Sequence, residues 1–128
     1  MPPEFFLDRG LGKNLARQLR GLDWRVHLIA DHFADDAQGV ADQDWIDYGL
    51  ARGWTPLCKD GRIRGIEAER RPVVKHEAVL FYLDNQQLKI DEMVRRFHSS
   101  QEQIYRRIAN GGPAIFAVRA DGLRRTWP

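Results

Sequence analysis

The chain has 128 residues, 43% of them hydrophobic and 30% charged, with a net charge of +2. That describes one ordinary globular domain able to bury a core, and the charge sum alone does not mark a nucleic-acid binder. No apolar run approaches the roughly 20 residues of a membrane helix, and the acidic start Pro3-Glu4 lacks the basic and apolar regions of a signal peptide, so a cytoplasmic protein without membrane attachment is expected. The single cysteine, Cys58, excludes an internal disulfide and reads as a small buried hydrophobe.

Residues 4–7 read as a first strand, and residues 11–19 as a helix with Leu11, Leu15, Leu19 and Leu22 on one face. A second strand follows over 24–29, entered through the turn Gly21-Leu22-Asp23, with His27 as a plain strand side chain. Residues 31–43 are polar, contain Gly39 and keep no period, which predicts a loop. Asp42 or Asp44 then caps a helix over about 41–52, whose apolar face is Trp45, Ile46, Gly49 and Leu50 and whose end is marked by Gly53.

A third strand is expected to end at Cys58 and, because Pro56 donates no ladder hydrogen bond, to start at or just before Pro56. Residues 62–71 can hold a helical turn, and Pro72 is expected to open a short element ending near His76. Residues 78–83 form the clearest buried strand. Helices are expected over 90–97 and 100–109, the second opened by the capping-box pattern Ser100-Gln101-Glu102-Gln103 and stopped at Gly111-Gly112-Pro113. Residues 114–118 read as a last strand, followed by a basic tail.

Asp8 and Asp60 each close a short apolar run, and Asp44 opens the helix between those runs. A helix joining two parallel strands runs antiparallel to them, so its first turn lies level with their carboxyl ends. The lengths agree: the helix spans roughly 18 Å and the strand roughly 17 Å. Asp8, Asp44 and Asp60 are therefore expected to meet at the carboxyl edge, where open α/β sheets bind ligands. Gathered carboxylates repel unless a cation neutralises them, and an oxygen-only donor set suits Mg²⁺ or Mn²⁺. Asp42 and Asp47 are rivals to Asp44 for the middle position. Around these acids cluster Arg9, Lys13, Arg17 and Arg20 on one side, and Arg62, Arg64, Arg70, Arg71 and Lys75 on the other.

In this order, the segments Phe6-Leu7-Asp8-Arg9-Gly10-Leu11-Gly12, Ala30-Asp31-His32-Phe33 and Gly53-Trp54 through Lys59-Asp60-Gly61-Arg62-Ile63-Arg64 resemble the PIN-like nucleases, in particular the small bacterial proteins related to VapC toxins. The resemblance implies a three-layer α/β/α PIN-like domain over residues 1–128 with a mostly parallel central sheet. It also implies a metal-dependent ribonuclease that cuts RNA phosphodiester bonds with an activated water, the toxin of a toxin-antitoxin pair. Its partners would be RNA, an antitoxin protein and a second copy of the chain. The family's metal carboxylates map onto Asp8 and Asp60, and the middle acid onto Asp44, with Asp42 as rival. Pro56 and Cys58 depart from the aliphatic and hydroxyl residues usual there, and no fourth carboxylate stands out.

On this reading Arg9, Lys13, Lys59 and Arg62 are the cations that neutralise phosphate charge. A structural ion pair is the competing role for Lys59. His32 is placed at the same edge as a proton shuttle or phosphate ligand, against the plainer role of bonding a loop carbonyl. Two other classes stand beside the enzyme. Residues 91–107 have the look of a helix-turn-helix with a basic second helix, as in a DNA-binding regulator, and a catalytically inactive PIN-like protein would only bind a partner.

Overall fold

Short apolar runs alternating with amphipathic stretches become alternating strands and helices in the computed structural model, which describes residues 2–59, 65 and 67–128. The order is β1 (Glu4–Leu7), α1 (Gly12–Gly21), β2 (Arg25–Leu28), α2 (Asp42–Ala51), β3 (Trp54–Cys58), α3 (Glu67–Lys75), β4 (Val79–Leu83), α4 (Ile90–Ser99), α5 (Gln101–Asn110), β5 (Ala114–Arg119) and β6 (Gly122–Trp127). The strands form one sheet in the order β2-β1-β3-β4-β5-β6. Strands β1 to β5 are parallel and β6 is antiparallel to β5.

From β1 the chain moves out to β2 at the sheet edge, then crosses back over β1 to reach β3. Right-handed crossovers in opposite directions place their helices on opposite faces. Side-chain alternation along β1 follows suit. Phe5 and Leu7 join Leu15 and Leu19 of α1, Met93 and Phe97 of α4 and Ile104 of α5 in one core. Phe6 joins Trp45 and Ile46 of α2 and Val73 of α3 in the other. The result is the expected three-layer α/β/α arrangement around a mostly parallel sheet. Among the described residues, no helix is long and apolar enough to cross a membrane.

Helix α2 sits unusually close to the sheet. A Cβ on Gly49 would lie 2.5 Å from Phe6 Cδ2, so only glycine lets the helix backbone settle onto that ring. Phe6 is fully buried and is surrounded by the rings of His32, Trp45, Tyr48 and Trp54.

Several expectations need correction. Leu22 lies just past the end of α1 and is exposed, so the buried stripe of that helix is Leu11, Leu15 and Leu19. Pro56 lies inside β3 rather than at its start. It is tolerated there because β3 pairs with β4 only at Leu57 and Cys58, beyond the proline. Pro72 does not open an element but lies inside α3, buried beside the groove between α2 and α3. Ser100 makes no capping hydrogen bond, since α4 runs almost directly into α5 and its side chain is buried between them. The basic tail is β6, joined to β5 by the tight turn Ala120-Asp121. The helix pair α4–α5 packs Met93, Phe97 and Ile104 into the sheet as one layer of the fold.

Candidate active site at the carboxyl edge

Strands β1 and β3 lie side by side, and the direction of strand order reverses there, which is the position where open α/β sheets leave a crevice. The backbone N–H of Asp8 donates to the Leu57 carbonyl at 2.9 Å, carrying the β1–β3 ladder one residue further and fixing Asp8 at the carboxyl edge. Asp8 then caps a short turn over Arg9–Leu11, its carboxylate accepting from the Gly10 N–H at 3.4 Å. Capping alone is a sufficient structural reason for an aspartate at this point.

Two clefts meet at Asp8. One, of about 310 Å³, is lined by Leu7, Asp8, Arg9, Gly12, Lys13 and the end of β2. The other, of about 240 Å³, is lined by Asp8, Arg9, Gly10, the loop around Gly39, and Asp42 and Trp45 of α2. Lys59 lies just past the end of β3. A Cβ on Gly10 would come within 3.9 Å of the Lys59 stem on one hand and of Asp8 Oδ2 on the other. The structure thus brings Asp8, Arg9, Lys13, Lys59 and Asp42 to one edge.

The two acids of the first turn of α2 part company. Asp42 lines the cleft of Asp8 and accepts from Trp45 Nε1 at 2.9 Å, a bond that leaves lone pairs on the carboxylate for another partner. Asp44 is exposed and lines a groove between α2 and α3 with Asp47, Arg71 and Lys75. Asp60 and Arg62 lie outside the described residues. Among the described residues, no group of three or more His, Cys, Asp or Glu is close enough to hold a metal ion.

His32 does not face Asp8. Its Nδ1 pairs with the Tyr48 hydroxyl at 3.1 Å, and its ring packs against Phe6 and Trp54 on the α2 side of the sheet. His27 stacks on Trp54 at 3.7 Å and bonds Glu4 at 2.9 Å. His76 and His98, which have no partner discernible in the sequence, are both engaged. His98 Nδ1 accepts from Trp24 Nε1 at 3.1 Å, and His76 Nε2 pairs with Asp47 Oδ1 at 2.8 Å.

Sequence reasoning also passed over Asp84. It follows Leu83 directly past the end of β4, so it repeats at the same sheet edge the strand-then-aspartate pattern of Leu7-Asp8. Arg96 at 3.1 Å and Arg119 at 3.2 Å pair with its carboxylate.

The hydrogen bond from His76, then that from Lys75 at 3.1 Å, holds the Asp47 carboxyl below the usual carboxylate range. A carboxylate with a depressed folded pKa contributes stability that is present above its unfolded pKa and lost as pH falls through the folded one. Asp47→Asn is therefore expected to lower the thermal midpoint at about pH 6, with the gap to the parent closing as pH falls below the ordinary carboxylate range. Thermal melts across that range check it, and a gap that stays constant with pH would show that the α2–α3 tie does not depend on the charge.

Residues 3–85 match the family described as a PIN like domain. No curated protein and no solved structure matches the chain. The matched segment runs from β1 just past the end of β4 and contains Asp8, Asp42, Asp44, Asp60 and Asp84.

Proposed function

This chain belongs to the PIN-like domain family, generally a family of nucleases, and from that premise we propose that it hydrolyses phosphodiester bonds of RNA. The observation that supports this reading most is the position of Asp8. It stands at the reversal point of the sheet, between two clefts that it shares with Arg9, and with Lys13 on one side and Asp42 on the other.

PIN domains usually bind divalent metals, and the donor chemistry here fits a hard cation: Asp8 and Asp42 offer carboxylate oxygens only, with no histidine or cysteine among the described residues that line either cleft. Asp8, Asp42 and Asp60 would hold Mg²⁺ or Mn²⁺, with Asp44 as the alternative middle acid. When bound, such an ion supplies a Lewis acid that lowers the pKa of water and offsets phosphate charge. The chain's own cations do the rest. Arg9 and Lys13 face the larger cleft, where they bind the phosphate and neutralise charge gathering on its non-bridging oxygens. Lys59 adds a cation whose stem runs beside Gly10. Arg9 presents a planar fork suited to two phosphate oxygens at once, which orients the scissile group relative to Asp8.

Labelled single-stranded RNA incubated with Mn²⁺ or with EDTA tests the reading. Cleavage with Mn²⁺ that EDTA stops is the expected result, and RNA left intact under both conditions would overturn the proposal. The same assay separates the two acids of α2. Asp42→Asn is expected to slow cleavage at least about 10-fold and Asp44→Asn less than about 3-fold, the difference between a group that stabilises developing charge and a surface substitution. The reverse order would assign the middle position to Asp44. A role as the toxin of a toxin-antitoxin pair rests on the resemblance to VapC-like proteins. It predicts growth arrest on expression, relieved by co-expression of a neighbouring small gene.

A further inference from the structure

Four cations, Arg9, Lys13, Arg17 and Arg20, occupy the stretch between Asp8 and Asp23, with no acid among them. Helix α1 buries Leu15, Ala16 and Leu19 and leaves Lys13, Arg17 and Arg20 exposed. Positions i, i+4 and i+7 fall within about 60° of one another around a helix of 3.6 residues per turn. These three side chains therefore form a single stripe down the outer face of α1. The stripe begins in the cleft of Asp8, which Lys13 and Arg9 line together.

Helix stability does not account for this stripe. Lys13 lies in the first turn, where the helix dipole disfavours a cation by about 0.3–1 kcal/mol, and α1 offers no acid at i±3 or i±4 to compensate. Several cations elsewhere in the fold are matched by acids. Lys75 pairs with Asp47, Arg96 and Arg119 pair with Asp84, and Glu92 is held down at about 2 by Arg95 and Arg96. On α1 two of the guanidinium groups have neutral partners: Arg17 donates to the Asn14 carboxamide, and Arg20 donates to the Val26 carbonyl at 2.8 Å. Both bonds orient the guanidinium while leaving its charge uncancelled.

We infer that the outer face of α1 is a track for the phosphate backbone of single-stranded RNA, leading away from the Asp8 cleft along the helix axis. The identity of the polyanion rests on the nuclease reading above. The stripe supplies the geometry. Lys13, Arg17 and Arg20 succeed one another at about 6 Å and about 4.5 Å along the axis, a row one side chain wide. A single strand can follow such a row phosphate by phosphate, whereas a duplex presents two backbones that one row cannot engage together. The track sets substrate polarity: the portion of the strand lying on α1 is always on the same side of the scissile phosphate.

Binding is measured by fluorescence anisotropy of a labelled uridine oligonucleotide in EDTA, across a salt titration. Each phosphate contact to a single strand contributes about 0.7 to the slope of log affinity against log salt. Lys13→Gln and Arg17→Gln are each expected to reduce that slope by about 0.7, and Arg106→Gln on the exposed face of α5 to leave it unchanged. An unchanged slope in Arg17→Gln, with the fold intact by circular dichroism, overturns the track. So does a duplex of equal length that binds more tightly than the single strand. EDTA removes cleavage from the measurement. Mn²⁺-dependent cleavage with unaltered slopes would sink the track alone, and altered slopes without cleavage would sink the nuclease reading alone.

Discussion

Replacing Asp8 by asparagine is expected to lower Mn²⁺-dependent RNA cleavage by at least about 100-fold, in the range seen when a preorganised charged group is removed from a reacting centre. The substitution isolates charge from structure. Asparagine still accepts a hydrogen bond from the Gly10 N–H, so the turn over Arg9–Leu11 keeps its cap, and asparagine is as good a capping residue as aspartate. The backbone bond from residue 8 to the Leu57 carbonyl involves no side chain and persists. Loss of activity should therefore come with a change in stability below about 1 kcal/mol. Cleavage rate and thermal midpoint measured on the same preparation check this. Full activity in the asparagine variant would reduce Asp8 to its capping role.

The largest effect on stability is expected at Phe6. Truncation to alanine removes a fully buried ring from the centre of the α2-side core, where it touches His32, Trp45, Tyr48 and Trp54. Such a change typically costs about 3–5 kcal/mol, part from lost transfer energy and part from the cavity left behind. Gly49→Ala in the parent costs about 1–3 kcal/mol for the opposite reason, because its methyl would stand 2.5 Å from the ring. The two changes are coupled through one volume. In the Phe6→Ala background the Gly49 methyl enters the cavity instead of a ring, so the double variant is expected to be less destabilised than the sum of the singles by at least about 1 kcal/mol. Denaturant titrations of the four proteins measure the coupling, and strict additivity would show that α2 moves off the sheet independently of Phe6.

The layer order was legible because it follows from local signals. Leucines at helical spacing mark α1, the apolar runs at 4–7, 54–58 and 78–83 mark strands, and chain direction then places Asp8 at the carboxyl edge. Pro56 and Pro72 misled because their cost depends on partners distant in sequence. Strand β3 has no β4 partner at residue 56, and no local pattern reveals that. β6 was missed because its exposed Arg124 and Arg125 outweigh its apolar positions, although Asp121-Gly122 carries a recognised hairpin signal. The partners of His76 and His98 come from α2 and from the turn before β2, and only the packed fold joins them. Between Asp42 and Asp44, two residues apart on one helix, the sequence offered no criterion. Helix rotation decides which lines the cleft of Asp8, and a rotation of about 200° separates the two positions.

The family match covers residues 3–85, yet Phe5 and Phe81 lie in a core completed by Met93, Phe97, Ile104 and Phe116 from beyond that span. The matched stretch is therefore not a self-sufficient unit: its α1-facing side is sealed by α4, α5 and β5.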